Sequence, residues 1–197
     1  MGAAFALLAL GGCAPALVAG AGGLGASAVY EERTTRDQIA DLQTELKIET
    51  RLAKAGERFE AVDPEVNEGR VVLTGSVPDA ASEIDAVEMA WGPEGVRSVE
   101  SELVIAGETG LARTAQDAWT ASQVRARLIG DLGVASPNYS VEVYDGVAHL
   151  IGLARSPREL ERAAAAAAAT PGVTRVVSHV LLIDDPRRFA TREAPPA

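Results

Sequence analysis

Few side chains in this chain of 197 residues can serve as nucleophile, proton shuttle or soft metal ligand: two histidines, His149 and His179, and one cysteine, Cys13. Both histidines sit in stretches of alternating apolar residues, where successive side chains take opposite faces of a sheet. The alternation puts Ala148, Leu150, Val176 and Val180 on one face and both imidazoles on the other, with Val147, Ile151, Val177 and Leu181. A catalytic zinc takes three protein ligands and a structural zinc four, and the motif around the two histidines supplies no third. The expectation is a histidine pair at a packing surface, with no metal and no cofactor. Glu60, Asp63 and Glu65 come nearest to a carboxylate constellation, but acids in series within an acidic segment read as solvated surface. A lone cysteine closes no internal disulfide. Without a convergent acid, base and nucleophile, the chain reads as non-enzymatic.

The elements that carry these residues are written twice. Residues 66–105 and 143–182 repeat one motif without insertion: Gly69, Leu73, Gly75, Gly95, Val96 and Val99 recur as Gly146, Leu150, Gly152, Gly172, Val173 and Val176. Six structural glycines at matching places imply one shared backbone. In the first copy the periodicity predicts a helix over Asp37 to Ala55, with Ile39, Leu42, Leu46 and Leu52 near one face. A short strand ending near Val66 and a strand around Val71-Val72-Leu73 follow. A helix from Pro78 to Trp91 has Ala81, Ile84, Val87 and Met89 as its apolar positions and stops at Gly92-Pro93; a strand runs from Val96 to Ile105. The second copy repeats the order: a helix over Asp117 to Asp131, strands Ser140 to Val143 and Val147 to Ile151, a helix over Pro157 to Thr170 and a strand over Val173 to Ile183. Seven consecutive alanines at 163–169 favour helix while keeping it narrow enough to lie close on a sheet.

The fold class is therefore α+β: two αββαβ modules in tandem, each a three-stranded mixed sheet with two helices on one face. Modules of about 70 residues bury little apolar surface alone, and with only 4% aromatic residues the cores should be shallow. The outer face of the second sheet is apolar, whereas the matching positions of the first are Arg70, Val72, Thr74, Ser98, Glu100 and Glu102. An apolar sheet face of that extent marks an interface, so it is expected to pack on the first module.

Net charge is −10 and unevenly placed: seven basic and sixteen acidic residues lie between Thr34 and Ala106, but seven of each between Gly107 and Ile183. The first module should be repelled by anionic surfaces and the second should not. No basic patch is large enough to release many counterions, which excludes nucleic acid as a partner.

An apolar-apolar-Leu-x-Gly strand after an acidic-Gly turn, Val-Pro or Ser-Pro opening a helix, and Gly-Val-x-x-Val starting a strand resemble the BON domain of bacterial envelope proteins. Residues 1–12 are apolar or glycine, too short a run to span a bilayer. With Leu10-Gly11-Gly12-Cys13 they resemble a bacterial lipoprotein signal, in which the thiol is acylated before cleavage. Together these features resemble the dual-BON lipoproteins. That resemblance implies a signal peptide at 1–12, lipidation at Cys13, a flexible tether over 13–33, BON domains at 34–106 and 107–183, and a disordered tail at 184–197. It also implies a lipid-anchored protein on the periplasmic face of the outer membrane, which Ala14 after the cysteine favours over inner-membrane retention. Anionic phospholipid would meet the first helix of the second domain, and an envelope assembly, secretion or division protein is the alternative partner.

On that helix Trp119 stands apart. At 100° per residue, Ala121, Val124, Leu128 and Leu132 cluster opposite the indole, on the core side. Gln123, Ala126 and Gly130 lie beside Trp119, with Arg127 and Ile129 flanking it. An amphipathic ring among small residues and arginine suits the headgroup boundary of a bilayer. The family's Trp followed by Val-Arg corresponds to Trp119, Val124 and Arg125, with Gln123 standing where the family has a basic residue. The expected lipid contacts are Trp119, Gln123, Arg125, Arg127 and Ile129.

Overall fold

The computed structural model describes residues 35–105 and 111–190; the apolar leader, Cys13, the tether and the tail beyond Ala190 lie outside the described residues. Helix α1 (Thr35–Ala55) leads into the hairpin β1 (Val62–Asn67) and β2 (Arg70–Val77), followed by α2 (Ala80–Trp91), β3 (Ser98–Ser101) and β4 (Val104–Ile105). The second module runs α3 (Leu111–Gly130), β5 (Tyr139–Tyr144), β6 (Val147–Ala154), α4 (Pro157–Ala168) and β7 (Arg175–Leu182). Each sheet is an antiparallel hairpin with a parallel third strand against its second strand. The final strand of the first module is interrupted where it was expected to be continuous: β3 and β4 both pair with β2, and between them the Glu102 amide donates to the Leu73 carbonyl at 2.9 Å.

Both hairpins close through two-residue turns, Glu68-Gly69 and Asp145-Gly146, in which all four residues have positive φ (51°, 72°, 49° and 75°). Such turns match the twist of the flanking strands. A Cβ at Gly69 would stand 2.3 Å from the Gly95 carbonyl oxygen, so the turn also needs glycine for its close approach. The amides that the turn leaves unpaired are taken by one carboxylate from the first helix. Asp41 accepts from the amides of Glu68 (2.8 Å) and Gly69 (2.9 Å), and Asp117 accepts from those of Asp145 (2.9 Å) and Gly146 (3.1 Å). These buried aspartates fix how each helix is rotated on its sheet.

That rotation corrects two expected helix faces. On α1 the inward residues are Asp41, Thr44, Ile48 and Leu52, whereas Ile39, Leu42 and Leu46 are each about half exposed. Asp41 is occupied by the turn and the Thr44 hydroxyl donates to the Ala40 carbonyl, so polar residues hold positions that a hydrophobic count passes over. On α2 the inner face is Ser82, Ala86 and Ala90, and Ala81 and Ile84 point to solvent. Helix α4 places Glu159, Ala163 and Ala167 at the corresponding positions. Ala163 and Ala167 of the alanine run are fully buried in the second core.

The outer faces of the two sheets are pressed together, as expected. All eight residues of β2 are buried, Arg70, Thr74 and Ser76 included. Val72, Ile151, Leu153 and Leu181 are at most 4% exposed yet belong to neither helix-facing core, which places them in the seam. The Arg70 guanidinium donates to the His179 carbonyl across it at 3.3 Å. The layers run helices, sheet, sheet, helices.

The tail does not begin as disorder. After β7 a short 3-10 turn, Pro186–Phe189, folds back onto the first module. Arg188 grips Glu68 with two nitrogens at 2.6 and 2.9 Å, and Arg97 donates to the carbonyls of Arg187 and Arg188 at 3.2 and 2.6 Å. Both partners of the fork are largely buried, and a bidentate arginine–carboxylate pair is the strong form of this contact.

Replacing Asp117 with Ala leaves two turn amides without acceptors, each worth about 1–3 kcal/mol when buried. Urea unfolding should show a loss of about 2–4 kcal/mol, and Asp41→Ala should behave alike. A change near zero in both would contradict the role given to these carboxylates.

Candidate functional site

With Asp117, Ala121, Val124 and Leu128 turned inward, α3 directs Trp119 outward, 63% exposed, and Ile129 with it, 70% exposed. Arg127 is exposed and Gln123 half-buried on the same side of the helix. Arg125 is placed differently. Its guanidinium donates to the Glu142 carboxylate at 3.0 Å and to the Val141 carbonyl, and it is drawn toward the edge of β5, away from the indole. Leu132, expected on the core side, is wholly exposed, because α3 ends at Gly130 and its periodicity no longer governs that position. It extends the apolar surface beyond Ile129.

Behind this helix the modules enclose a cleft of about 400 Å³, lined among others by Glu60, Asp63, Asp117 and Glu142 against Arg113 and Arg125. Two of the three acids expected as plain solvated surface therefore line an interdomain groove. Burial, with repulsion from Asp63, pushes Glu142 up to about 7 against the pull of Arg125. On α1, burial and the neighbouring Glu65 raise Glu45 to about 7. The cleft sets four carboxylates against two guanidinium groups.

A second cluster lies in the seam. The rings of His149 and His179 stack with centroids 5.8 Å apart and 14° between planes. His179 Nδ1 is 2.8 Å from Glu100 Oε2, and its Nε2 is 3.6 Å from Glu102 Oε1. Burial, then His179 and Arg175, bring His149 down to about 4, so that ring is neutral at physiological pH. The hydrogen bond from His179 holds Glu100 below the usual carboxylate range. Glu102, His149 and His179 each present a ligand atom within 4.8 Å of the others. The third ligand absent from the histidines' own motif comes from the other module. Its signal was available: Glu102 occupies in the first copy the place of His179 in the second, and the two outer faces were expected to meet.

Glu142 prefers its proton in the folded state, so its favourable contribution is complete below about pH 4.5 and is lost as pH rises through about 7. Glu142→Gln keeps an acceptor for Arg125 but cannot ionise. Thermal melts should show the variant gaining ~3 °C on the parent at pH 8, the size of shift that about 1 kcal/mol gives in a chain of this length. Little or no gain is expected at pH 4.5; an equal gain at both would contradict the ionisation argument.

Comparison with known proteins agrees with this architecture. The family model described as BON domain matches residues 40–107 and again 116–183. The chain is 30% identical over 180 residues to the outer membrane lipoprotein DolP of Haemophilus influenzae, covering 89% of this chain and 91% of that one. It is 33% identical over 145 residues to an uncharacterized protein in the gshII 5′ region of Anaplasma centrale, covering 73% and 95%. To the osmotically-inducible protein Y of Escherichia coli it is 38% identical over 108 residues, 54% of each chain. With two matched copies, each built as helix, hairpin, helix and parallel strand, the chain belongs to the BON-domain family.

Proposed function

We propose that this protein is a non-enzymatic lipoprotein of the outer membrane, held at the periplasmic leaflet through acylated Cys13, whose α3 presents Trp119 to anionic phospholipid in support of membrane integrity. The observation that carries the reading is the outward indole, on a helix whose opposite face is wholly committed to the core. Likeness to an outer membrane lipoprotein along nearly the whole chain supports the address. Among the described residues no helix is long and apolar enough to cross a membrane.

Trp119 would enter the headgroup boundary, with Ile129 and Leu132 adding apolar contact and Arg127 reaching phosphate. Gln123 would offer a neutral hydrogen bond. Arg125, engaged by Glu142, would contribute charge from the side of the helix and not a direct insertion. Each acyl methylene adds about 0.8 kcal/mol of membrane affinity. The anchor therefore raises the local concentration of lipid at α3, and a weak contact suffices. The acidic first module, repelled by the same lipids, would keep the second one facing the surface.

A protein partner is the second reading, and one observation favours it: Ile39, Leu42 and Leu46 form an exposed stripe at helical spacing on α1. Such a stripe suits an amphipathic helix of an envelope assembly, secretion or division protein.

Trp119→Glu should lower flotation of the chain lacking residues 1–33 with anionic vesicles by at least about tenfold, a loss of about 1.4 kcal/mol or more. Its melting temperature should stay within about 2 °C of the parent, because the ring is exposed. Undiminished flotation would overturn the lipid reading, and a stoichiometric protein partner lost with Leu42→Glu would favour the second.

A further inference from the structure

Two buried imidazole nitrogens in the seam, His149 Nδ1 and His179 Nε2, have no hydrogen-bond partner among the described residues. Unpaired nitrogens of this kind are costly in a packed interface unless a bound ion or water meets them. The carboxylate of Glu102, from the other module, lies 3.6 Å from His179 Nε2 and within 4.8 Å of a ring nitrogen of His149. We propose that Glu102, His149 and His179 form a binding site for a zinc-type divalent cation that clamps the two modules together.

The donor set is of the right kind. Two neutral imidazoles and one carboxylate are the ligands of several three-residue zinc sites, with water as the fourth. The outer shell is already arranged: Glu100 holds His179 Nδ1 at 2.8 Å, which orients the ring and turns Nε2 toward Glu102. A carboxylate behind a ligating histidine is the usual way such rings are fixed and made more basic. An entry path also exists, because the Glu102 and Glu100 side chains are 31% and 49% exposed at the rim while His179 is buried. Zinc bonds of about 2.0–2.2 Å in a tetrahedron put ligand atoms about 3.3 Å apart. Binding therefore asks for side-chain rotations on the order of 1 Å, short of any rearrangement of the strands.

Arg70 and Arg175 bring positive charge near the cluster, and Glu100 and Glu102 offset it. The site spans the seam in a particular way. Both histidines come from β6 and β7, whereas Glu102 follows β3, so an ion here ties the two modules across the seam. Magnesium and calcium, which favour all-oxygen shells, should be rejected.

The full chain, stripped with chelator, would be titrated with ZnCl₂ by calorimetry and with CoCl₂ by visible absorption. One zinc per chain is expected, with a raised melting temperature, a tetrahedral cobalt spectrum, and no response to MgCl₂. Glu102→Gln, at a partly exposed position, should fold normally and weaken zinc at least tenfold. Glu100→Gln should weaken it about 10- to 100-fold through the loosened ring, and His179→Asn should abolish it. Absence of saturable binding by the parent chain, or binding that survives both Glu102→Gln and His179→Asn, would overturn the site.

Discussion

Burial of the two sheets' outer faces against each other is the constraint on which the rest of this molecule depends. Each module has a helix-facing core built largely from valine, leucine and alanine, with a single buried tryptophan in one and a tyrosine in the other. Cores this small leave little margin against the conformational entropy of ordering the chain. Joining the sheets back to back removes Val72, Ile151, Leu153 and Leu181 from water and makes one four-layer body of two small ones. At about 25 cal/mol for each Å² of apolar surface, such burial contributes on the scale of a domain's net stability. The seam also decides what remains available for function. Both helical layers face outward, so the outer side of α3 is free for a surface while its inner side closes a core.

Charge follows the same division. Polar groups that the seam encloses are matched by partners from the opposite module or from the tail: Arg70 with the His179 carbonyl, His179 with Glu100, Glu68 with Arg188. Among the described residues, nitrogens left without a hydrogen bond remain on Arg70 and on the two imidazoles, and the imidazole pair lies beside one carboxylate, that of Glu102. The acids of the cleft are different again. Glu142 and Asp63 face each other with Arg125 between them, which couples the fit of the modules to pH and leaves Arg127 as the arginine beside the indole.

Much of this was legible before the fold was seen. The doubled glycine pattern announced two copies of one backbone, because a turn with two consecutive positive φ angles and a close carbonyl approach tolerates little else at Gly69 and Gly146. The outward direction of Trp119 and the meeting of the sheet faces followed from periodicity. The faces of α1 and α2 did not, because their inward positions are held by Asp41, Thr44 and Ser82, polar residues whose partners lie nearly thirty positions away or within their own turn. Asp41 and Asp117 read as ordinary surface acids until the hairpin amides are placed beside them. The order at the start of the tail was not legible for a similar reason: Arg188 finds Glu68 only when the chain has folded back across the seam. The third ligand of the histidine cluster required combining two copies of the repeat, since no local window contains it.

In the proposed function, the indole on α3 is the part of the folded body that meets lipid. The chain has two tryptophans, and Trp91 is buried in the first core at 6% exposure while Trp119 is open to solvent. Labelling both with 5-fluorotryptophan gives fluorine resonances that report the two environments side by side in one unaltered sequence. On adding anionic vesicles the Trp119 resonance should shift and broaden while that of Trp91 stays in place. A Trp119 resonance indifferent to lipid at saturating vesicle concentration would contradict the account.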